Sequence, residues 1–231
     1  MKREHKKNVD NNLVFYAPLT YGSLDIIGGK TSPVDAVSYD ENGAYFHTST
    51  KNNYIGYNFN ESLYRSIKTV YCEFKRTTTK YNTGCLYTLT GLRYDAFQYK
   101  YDIEVHTRHY RSCWHNLDCL SFKVNSNATP PLSTVEGVSN TQITTNVCHK
   151  CISGVYHDKV ITVLDGVKTY QYNYQQDTFD NYEMIDEEKT RLYFFIGGRS
   201  FNSEKMFEGY IRNVKCYTTE FSDEDLINMT L

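Results

Sequence analysis

The chain lacks a charge imbalance, a long apolar run and an even number of cysteines, and each absence removes a class of protein. Across 231 residues, 25 Lys and Arg stand against 27 Asp and Glu, a formal net charge of −2. No global basic field exists to hold a phosphate backbone, so nucleic acid is not expected as a partner. No segment is apolar for long enough to cross a bilayer, so membrane insertion is not expected either. The one basic run, Lys2-Arg3-Glu4-His5-Lys6-Lys7, leads into Asn8, Val9, Asp10, Asn11 and Asn12, not into the apolar core of a secretory signal. Residues 1–12 therefore read as a flexible N-terminal arm, and 13–231 as one domain of a size that a single β-sandwich reaches. No internal repeat of fixed period is visible.

Seven cysteines, at 72, 85, 113, 119, 148, 151 and 216, cannot all pair within one chain. Without an export signal they are expected to be free thiols, and Cys72 and Cys216 fall in strand patterns as small core hydrophobes. What the chain has in abundance is tyrosine, 22 residues, an amphipathic choice for strands covered on one side and wet on the other.

The periodicity is that of strands. Between Ile67 and Thr77, Val70, Cys72 and Phe74 alternate with Thr69, Tyr71, Glu73 and Lys75, which predicts a half-buried antiparallel strand. Asp165-Gly166 between Leu164 and Val167 is a two-residue hairpin signal, and Asp40-Glu41-Asn42-Gly43 is a turn. Residues 125–140, with Pro130-Pro131, read as a loop, as do the polar stretches 112–118 and 175–189. About twelve strands result at sandwich spacing, with Val70, Cys72, Phe74, Ile161, Val163, Ile211, Val214 and Cys216 in the core. Only the last element reads as helical: Ser222 is an N-cap serine followed by Asp223, Glu224 and Asp225 in the first turn.

The two ends of the chain also resemble a known family. Leu13-Val14-Phe15-Tyr16-Ala17-Pro18-Leu19 is similar to an opening strand of laminin-G-like domains, with a second strand expected at Leu24–Gly29. The run from Phe207-Glu208-Gly209-Tyr210-Ile211 through Tyr217 to Phe221-Ser222-Asp223-Glu224 resembles their final strand and closing helix. The resemblance is to laminin-G-like, concanavalin A-like lectin-glucanase jelly rolls of the kind found in Bacteroidetes and bacteriophage structural proteins. It implies an all-β, two-sheet antiparallel jelly-roll sandwich with a short C-terminal helix, its termini near each other and the helix against one rim. It also implies a recognition or assembly module and not an enzyme: a virion protein of a bacteriophage tail, fibre or capsid appendage. Such a protein is made in the host cytoplasm and acts in many copies. Its partners would be a host-surface glycan or receptor, or other virion proteins.

The residues that could carry chemistry lie mid-chain. On a strand over 100–106, Lys100, Asp102, Glu104 and His106 would share one face. The same sandwich carries glycosidases, whose retaining mechanism needs two carboxyl groups roughly 5 Å apart. Lys100 stands where the resemblance would put the nucleophilic carboxylate, so Asp102, Glu104 and His106 are expected to bind a ligand, together with Trp114, the only tryptophan. The alternatives are a glycoside hydrolase with Glu104 as its acid and an architectural capsid decoration subunit that binds no glycan. Cys148-x-x-Cys151 has half the spacing of a zinc site, and residues 40–42 and 177–188 could offer calcium oxygens, but neither set repeats a ligand pattern. No cofactor is expected.

Overall fold

The computed structural model describes residues 12–22, 30–32, 37–47, 54–78, 83–93, 99–111, 116–126, 135–138, 141–173, 190–198 and 207–231, with backbone alone at 30–32, 61, 83, 90–93, 99–111, 116–126, 135–138, 170, 172 and 190–191. Trp114 and the segments 24–29, 175–189 and 1–11 lie outside them. The described residues form fifteen strands and two short helices.

The first sheet uses β1 (Leu13–Ala17), β3 (Val37–Asp40), β4 (Gly43–Phe46), β6 (Thr69–Arg76), β11 (His149–Val155), β12 (Lys159–Leu164), β13 (Val167–Asn173) and β15 (Gly209–Tyr217). Their order is β13-β12-β11-β6-β15-β4-β3. One edge of β15 is shared end to end: β4 takes Gly209 to Ile211 and β1 takes Val214 to Tyr217. The second sheet uses β2 (Lys30–Ser32), β5 (Ile55–Phe59), β7 (Thr83–Arg93), β8 (Tyr99–Arg111), β9 (Asn116–Ser126), β10 (Val135–Val138) and β14 (Thr190–Ile196). It runs β10-β9-β8-β7-β14-β5-β2, and every pairing in both sheets is antiparallel. This is the expected all-β two-sheet sandwich.

Alternation decides what lies between the sheets. Val70, Cys72 and Phe74 from β6 and Ile211, Val214 and Cys216 from β15 meet Tyr57, Phe59, Tyr87 and Phe194 of the opposing sheet in one buried cluster. Phe15 is its aromatic hub, edge-on to Tyr57, Phe59 and Phe194 at centroid separations of 4.8, 5.3 and 5.4 Å. The hairpin at Asp165-Gly166 is as expected. Both residues have positive φ, 48° and 76°, the conformation of a type I′ turn that matches strand twist.

Four features differ from the sequence reading. First, β6 is buried on both faces over its first half: Tyr71 joins Ile152, Ile161, Val163, Tyr217, Phe221 and Leu226 in a second cluster on the outer face of the first sheet. The cover is the closing helix α2 (Asp223–Thr230), which touches β11, β12 and β13 and so lies over a sheet face, not at a rim. Ser222 caps it by accepting from the Asp225 N–H (3.2 Å), and Asp223 is fastened to Lys159 and Lys168 at 2.9 Å each. Second, a helix not expected from sequence, α1 (Glu61–Ser66), follows Asn60, whose side chain accepts from the Leu63 N–H at 2.7 Å. Six residues are under two turns, too few for a helical period to register. Third, β10 occupies part of the stretch read as a loop, because four residues after the prolines suffice to pair with β9. Fourth, β9 begins at Asn116, inside the stretch 112–118 read as a loop, and pairs that polar start with Arg111.

Two outcomes test this architecture. Val163→Asp would place an unpaired charge beneath α2 and should cost about 3 kcal/mol or more, read by denaturant unfolding. Unchanged stability would contradict the covered outer face. Cys72, Cys85, Cys148, Cys151 and Cys216 are free thiols, of which Cys148 alone is exposed. In the native protein an alkylating reagent should therefore modify Cys148 well before the other four, and all five in denaturant without reductant.

Candidate functional site: an open cleft on the outer face of the first sheet

Beyond the edge of α2 the outer face of the first sheet changes from apolar to polar. Strand register lays two rows of side chains across it. Lys150 of β11, Glu73 of β6 and Arg212 of β15 are direct cross-strand partners. One step along, Lys75 of β6, Tyr210 of β15 and Tyr45 of β4 form a second row. Between them lies a cleft of about 140 Å³ lined by Asn42, Glu73, Phe74, Lys75, Cys148, Tyr210 and Arg212.

Glu73 organises the cleft. Its Oε2 accepts from Arg212 Nε at 2.7 Å, and its Oε1 accepts from Tyr71 OH at 3.0 Å and Asn213 Nδ2 at 3.1 Å. Burial pushes the carboxyl up, but the hydrogen bonds from Arg212, Asn213 and Tyr71 outweigh it, so Glu73 titrates below the usual carboxylate range. Asn213 reaches Glu73 because β15 is irregular between Arg212 and Lys215, with Asn213 at φ 51°. Asn tolerates the left-handed region better than most residues, and the irregularity re-aims a side chain that strict alternation would have sent elsewhere. Tyr16 OH donates to Asn213 Oδ1 at 3.1 Å and holds that amide in place.

The second row is aromatic. Lys75 Nζ stands 4.6 Å from the Tyr210 ring centroid, Tyr45 meets Tyr210 at 4.7 Å, and His47 meets Tyr45 at 4.4 Å. Tyr45 and Tyr210 are each partly exposed, so the ledge is open to solvent. Two glycines allow these strands to close up: a Cβ on Gly43 (φ 123°) would lie 2.6 Å from the Ile211 carbonyl oxygen, and one on Gly209 (φ 141°) would meet that of Lys75. The Asn42 corner is set by Asp40, whose Oδ1 accepts from the Asn42 N–H at 2.6 Å. The Cys148 wall is set by the buried His149. Its Nδ1 lies 2.6 Å from Asp165 Oδ2, and its Nε2 lies 3.1 Å from the Thr144 main-chain nitrogen and 3.0 Å from that residue's carbonyl oxygen.

The residues expected to bind ligand lie on the other sheet. Asp102 sits opposite Thr90 and Asn125, Glu104 opposite Thr88 and Lys123, and His106 opposite Cys85 and Ser121, all on β8 and its neighbours. Through β7 the same rows continue to Tyr193 and Phe195 of β14, which stack at 5.2 Å. The register shifts at Lys100: Tyr99 pairs with Leu92 and Tyr101 with Gly91, so Lys100 falls at an irregularity of the β7–β8 ladder. The side chains of Asp102, Glu104 and His106 lie outside the described residues. Cys148 and Cys151 do not converge as a zinc pair would: Cys148 edges the cleft, while Cys151 is buried opposite Cys72. Among the described residues no group of three or more His, Cys, Asp or Glu side chains could hold a metal ion.

No family model matches the chain, and no curated protein matches it in sequence. Solved structures do match its fold. Domain 4 of AbnA, a GH43 extracellular arabinanase from Geobacillus stearothermophilus in complex with arabinotriose, aligns with a TM-score of 0.57 at 13% identity, over 95% of this chain and 98% of that one. The CBM40 of the Ruminococcus gnavus IT-sialidase, bound to α2,3 sialyllactose, aligns at 0.52 and 12% identity over 88% and 97%. A structure of botulinum neurotoxin type C, described as entering cells through two ganglioside molecules, aligns at 0.64 and 9% identity, over 97% of this chain but 52% of that one. At such identities the likeness shows the fold alone.

The Glu73 network predicts a pH signature. A carboxyl whose folded pKa is depressed adds stability above the ordinary carboxylate range of about 4, and that stability is lost as pH falls through the lowered value. Glu73→Gln should therefore cost about 1–3 kcal/mol near neutral pH, and the gap from the parent protein should close in acid. Denaturant melts at both pH values check this; a gap constant with pH would contradict the charged, hydrogen-bonded state.

Proposed function

We propose that this protein is a non-catalytic glycan-recognition module, with the outer-face cleft as its binding site. The observation that carries the reading is the row Lys75, Tyr210, Tyr45 beside the Glu73–Arg212 pair: exposed aromatic rings next to fixed charged donors. A sugar ring offers an apolar face to stack on a phenol and a rim of hydroxyls to bond polar side chains, so the two rows match its two kinds of surface. Neighbouring folds solved with arabinotriose and sialyllactose support the reading by analogy.

The chemistry of the cleft argues against turnover there. Glycoside hydrolysis needs a pair of carboxyl groups, one of them a general acid with a raised pKa. Among the described residues Glu73 is the one carboxylate lining the cleft, both its oxygens accept hydrogen bonds, and its pKa is lowered. The setting we propose is a bacteriophage particle, with binding strengthened by many copies; its support is the resemblance of the terminal strands and helix. Mass spectrometry of purified virions tests that part separately.

On a glycan array, the intact protein should bind a restricted set of oligosaccharides, and Tyr210→Ala should weaken that binding about tenfold or more. A reducing-sugar assay on the same glycans should show no release. Sustained release that disappears in Glu104→Gln would overturn the non-catalytic reading in favour of an enzyme on the second sheet. A protein that binds no glycan but co-purifies with virion proteins would point to an architectural subunit.

A further inference from the structure

We infer that the ligand of this cleft is an anionic oligosaccharide, its acidic group held between Lys75 and Arg212 and its next sugar unit on the Tyr45 ledge. This rests on the glycan reading and follows from counting donors and acceptors. Arg212 gives its Nε–H to Glu73, but among the described residues its Nη2 has only a long contact with Cys148 Sγ, 3.9 Å. Lys75 Nζ lies over the Tyr210 ring, and among the described residues no carboxylate pairs with it. Both cations line the cleft and both act electrostatically on the Cys148 thiol.

Acceptors are scarce by comparison. Glu73 already accepts from three donors, and Asp40 at the rim accepts from the Asn42 N–H and lies beside the Tyr210 phenol, whose pKa burial and this carboxylate raise. Lys150, the third cation of the rows, is turned away to the Leu231 main-chain oxygen at 2.6 Å. The open cleft thus presents N–H groups that need acceptors. A neutral sugar brings hydroxyls that also need acceptors of their own, whereas a carboxylate or sulfate only accepts, and a charge-assisted bond is the stronger one. Arg212 is pre-aimed by its bond to Glu73, so little side-chain freedom remains to be lost on binding.

The ledge sets the length of the ligand. From Tyr210 the aromatic surface continues to Tyr45 and then to His47, away from both cations. A monosaccharide would fill the cationic end and leave that surface bare; a second unit would stack on it.

The test uses the full chain and matched pairs of probes: sialyllactose against lactose, digalacturonate against its methyl ester, and sulfated lactose against lactose, titrated by calorimetry. At least one acid should bind about tenfold tighter than its neutral partner, with affinity falling as salt is raised. Lys75→Met should remove most of that preference while circular dichroism and melting stay as in the parent. Tyr45→Ala should weaken the disaccharide and leave the corresponding acidic monosaccharide unchanged. Which acid wins distinguishes carboxylate from sulfate. If neutral sugars bind in a Tyr210-dependent way but no acid is preferred, or if Lys75→Met keeps the preference, this inference is wrong while the glycan reading stands. If nothing binds, acidic or neutral, both fail.

Discussion

Among the described residues the outer face of the first sheet is covered only in part, and this division shapes the molecule. An eight-residue helix, Asp223 to Thr230, packs mainly on β11, β12 and β13, the strands at one side of an eight-stranded sheet. Under it the face is apolar, with Ile152, Ile161, Val163 and Tyr217 buried. Past it the face must satisfy water or a ligand, and the side chains change accordingly within one strand: Tyr71 is buried, while Glu73 and Lys75 are partly open. The boundary falls on a single hydrogen bond, Tyr71 OH to Glu73, so one residue has its ring in the apolar half and its hydroxyl in the polar half.

The polar half is built from long-range pairings that bring together residues 139 and 140 positions apart. Arg212 and Asn213 both reach Glu73, and the register of β15 against β6 alone makes them neighbours. The irregularity at Asn213 matters because a regular strand would have pointed only one of the two outward. Gly43 and Gly209, where a side chain would collide with a neighbouring carbonyl, let β4 and β6 approach β15 closely enough for Tyr45, Tyr210 and Lys75 to touch. Local backbone exceptions thus set the spacing of the charged and aromatic rows.

Alternation and turn chemistry made much of the fold legible in the sequence. The Asp165-Gly166 hairpin and the Ser222 cap are local signals that appear where the pattern placed them, and so does the inward row Val70, Cys72 and Phe74 of β6, although the opposite row is open only from Glu73 onward. All eight residues expected in the core are buried. The cleft was not legible, because nothing local marks Glu73 or Arg212 as partners; an isolated Glu or Arg on a strand reads as a solvated face. Asp102, Glu104 and His106 stand out because they alternate within one short run, whereas the cleft is assembled from four separate stretches of chain around Asn42, Glu73, Cys148 and Tyr210. The register shift beside Lys100 shows the limit of the period-two argument: one irregularity interrupts a strict alternation of backbone positions.

The packing of α2 and the geometry of the cleft are coupled through this arrangement. Asp223, held by Lys159 and Lys168, seats α2 on Phe221, Tyr217 and Tyr71; Tyr71 donates to Glu73; Glu73 aims Arg212 into the cleft. Burial raises the Tyr71 phenol, and the neighbouring Glu73 charge raises it further, so this link keeps its proton and its role as donor throughout the physiological range. Glu73 in turn stays charged because its donors depress its pKa, which keeps Arg212 oriented without a ligand. A cleft whose cation is fixed in advance by a buried network loses little freedom on binding, and the same network withholds from Glu73 the proton that hydrolysis would require. A general acid and a permanently paired anchor need opposite shifts of the same group, and Glu73 carries the shift of the anchor.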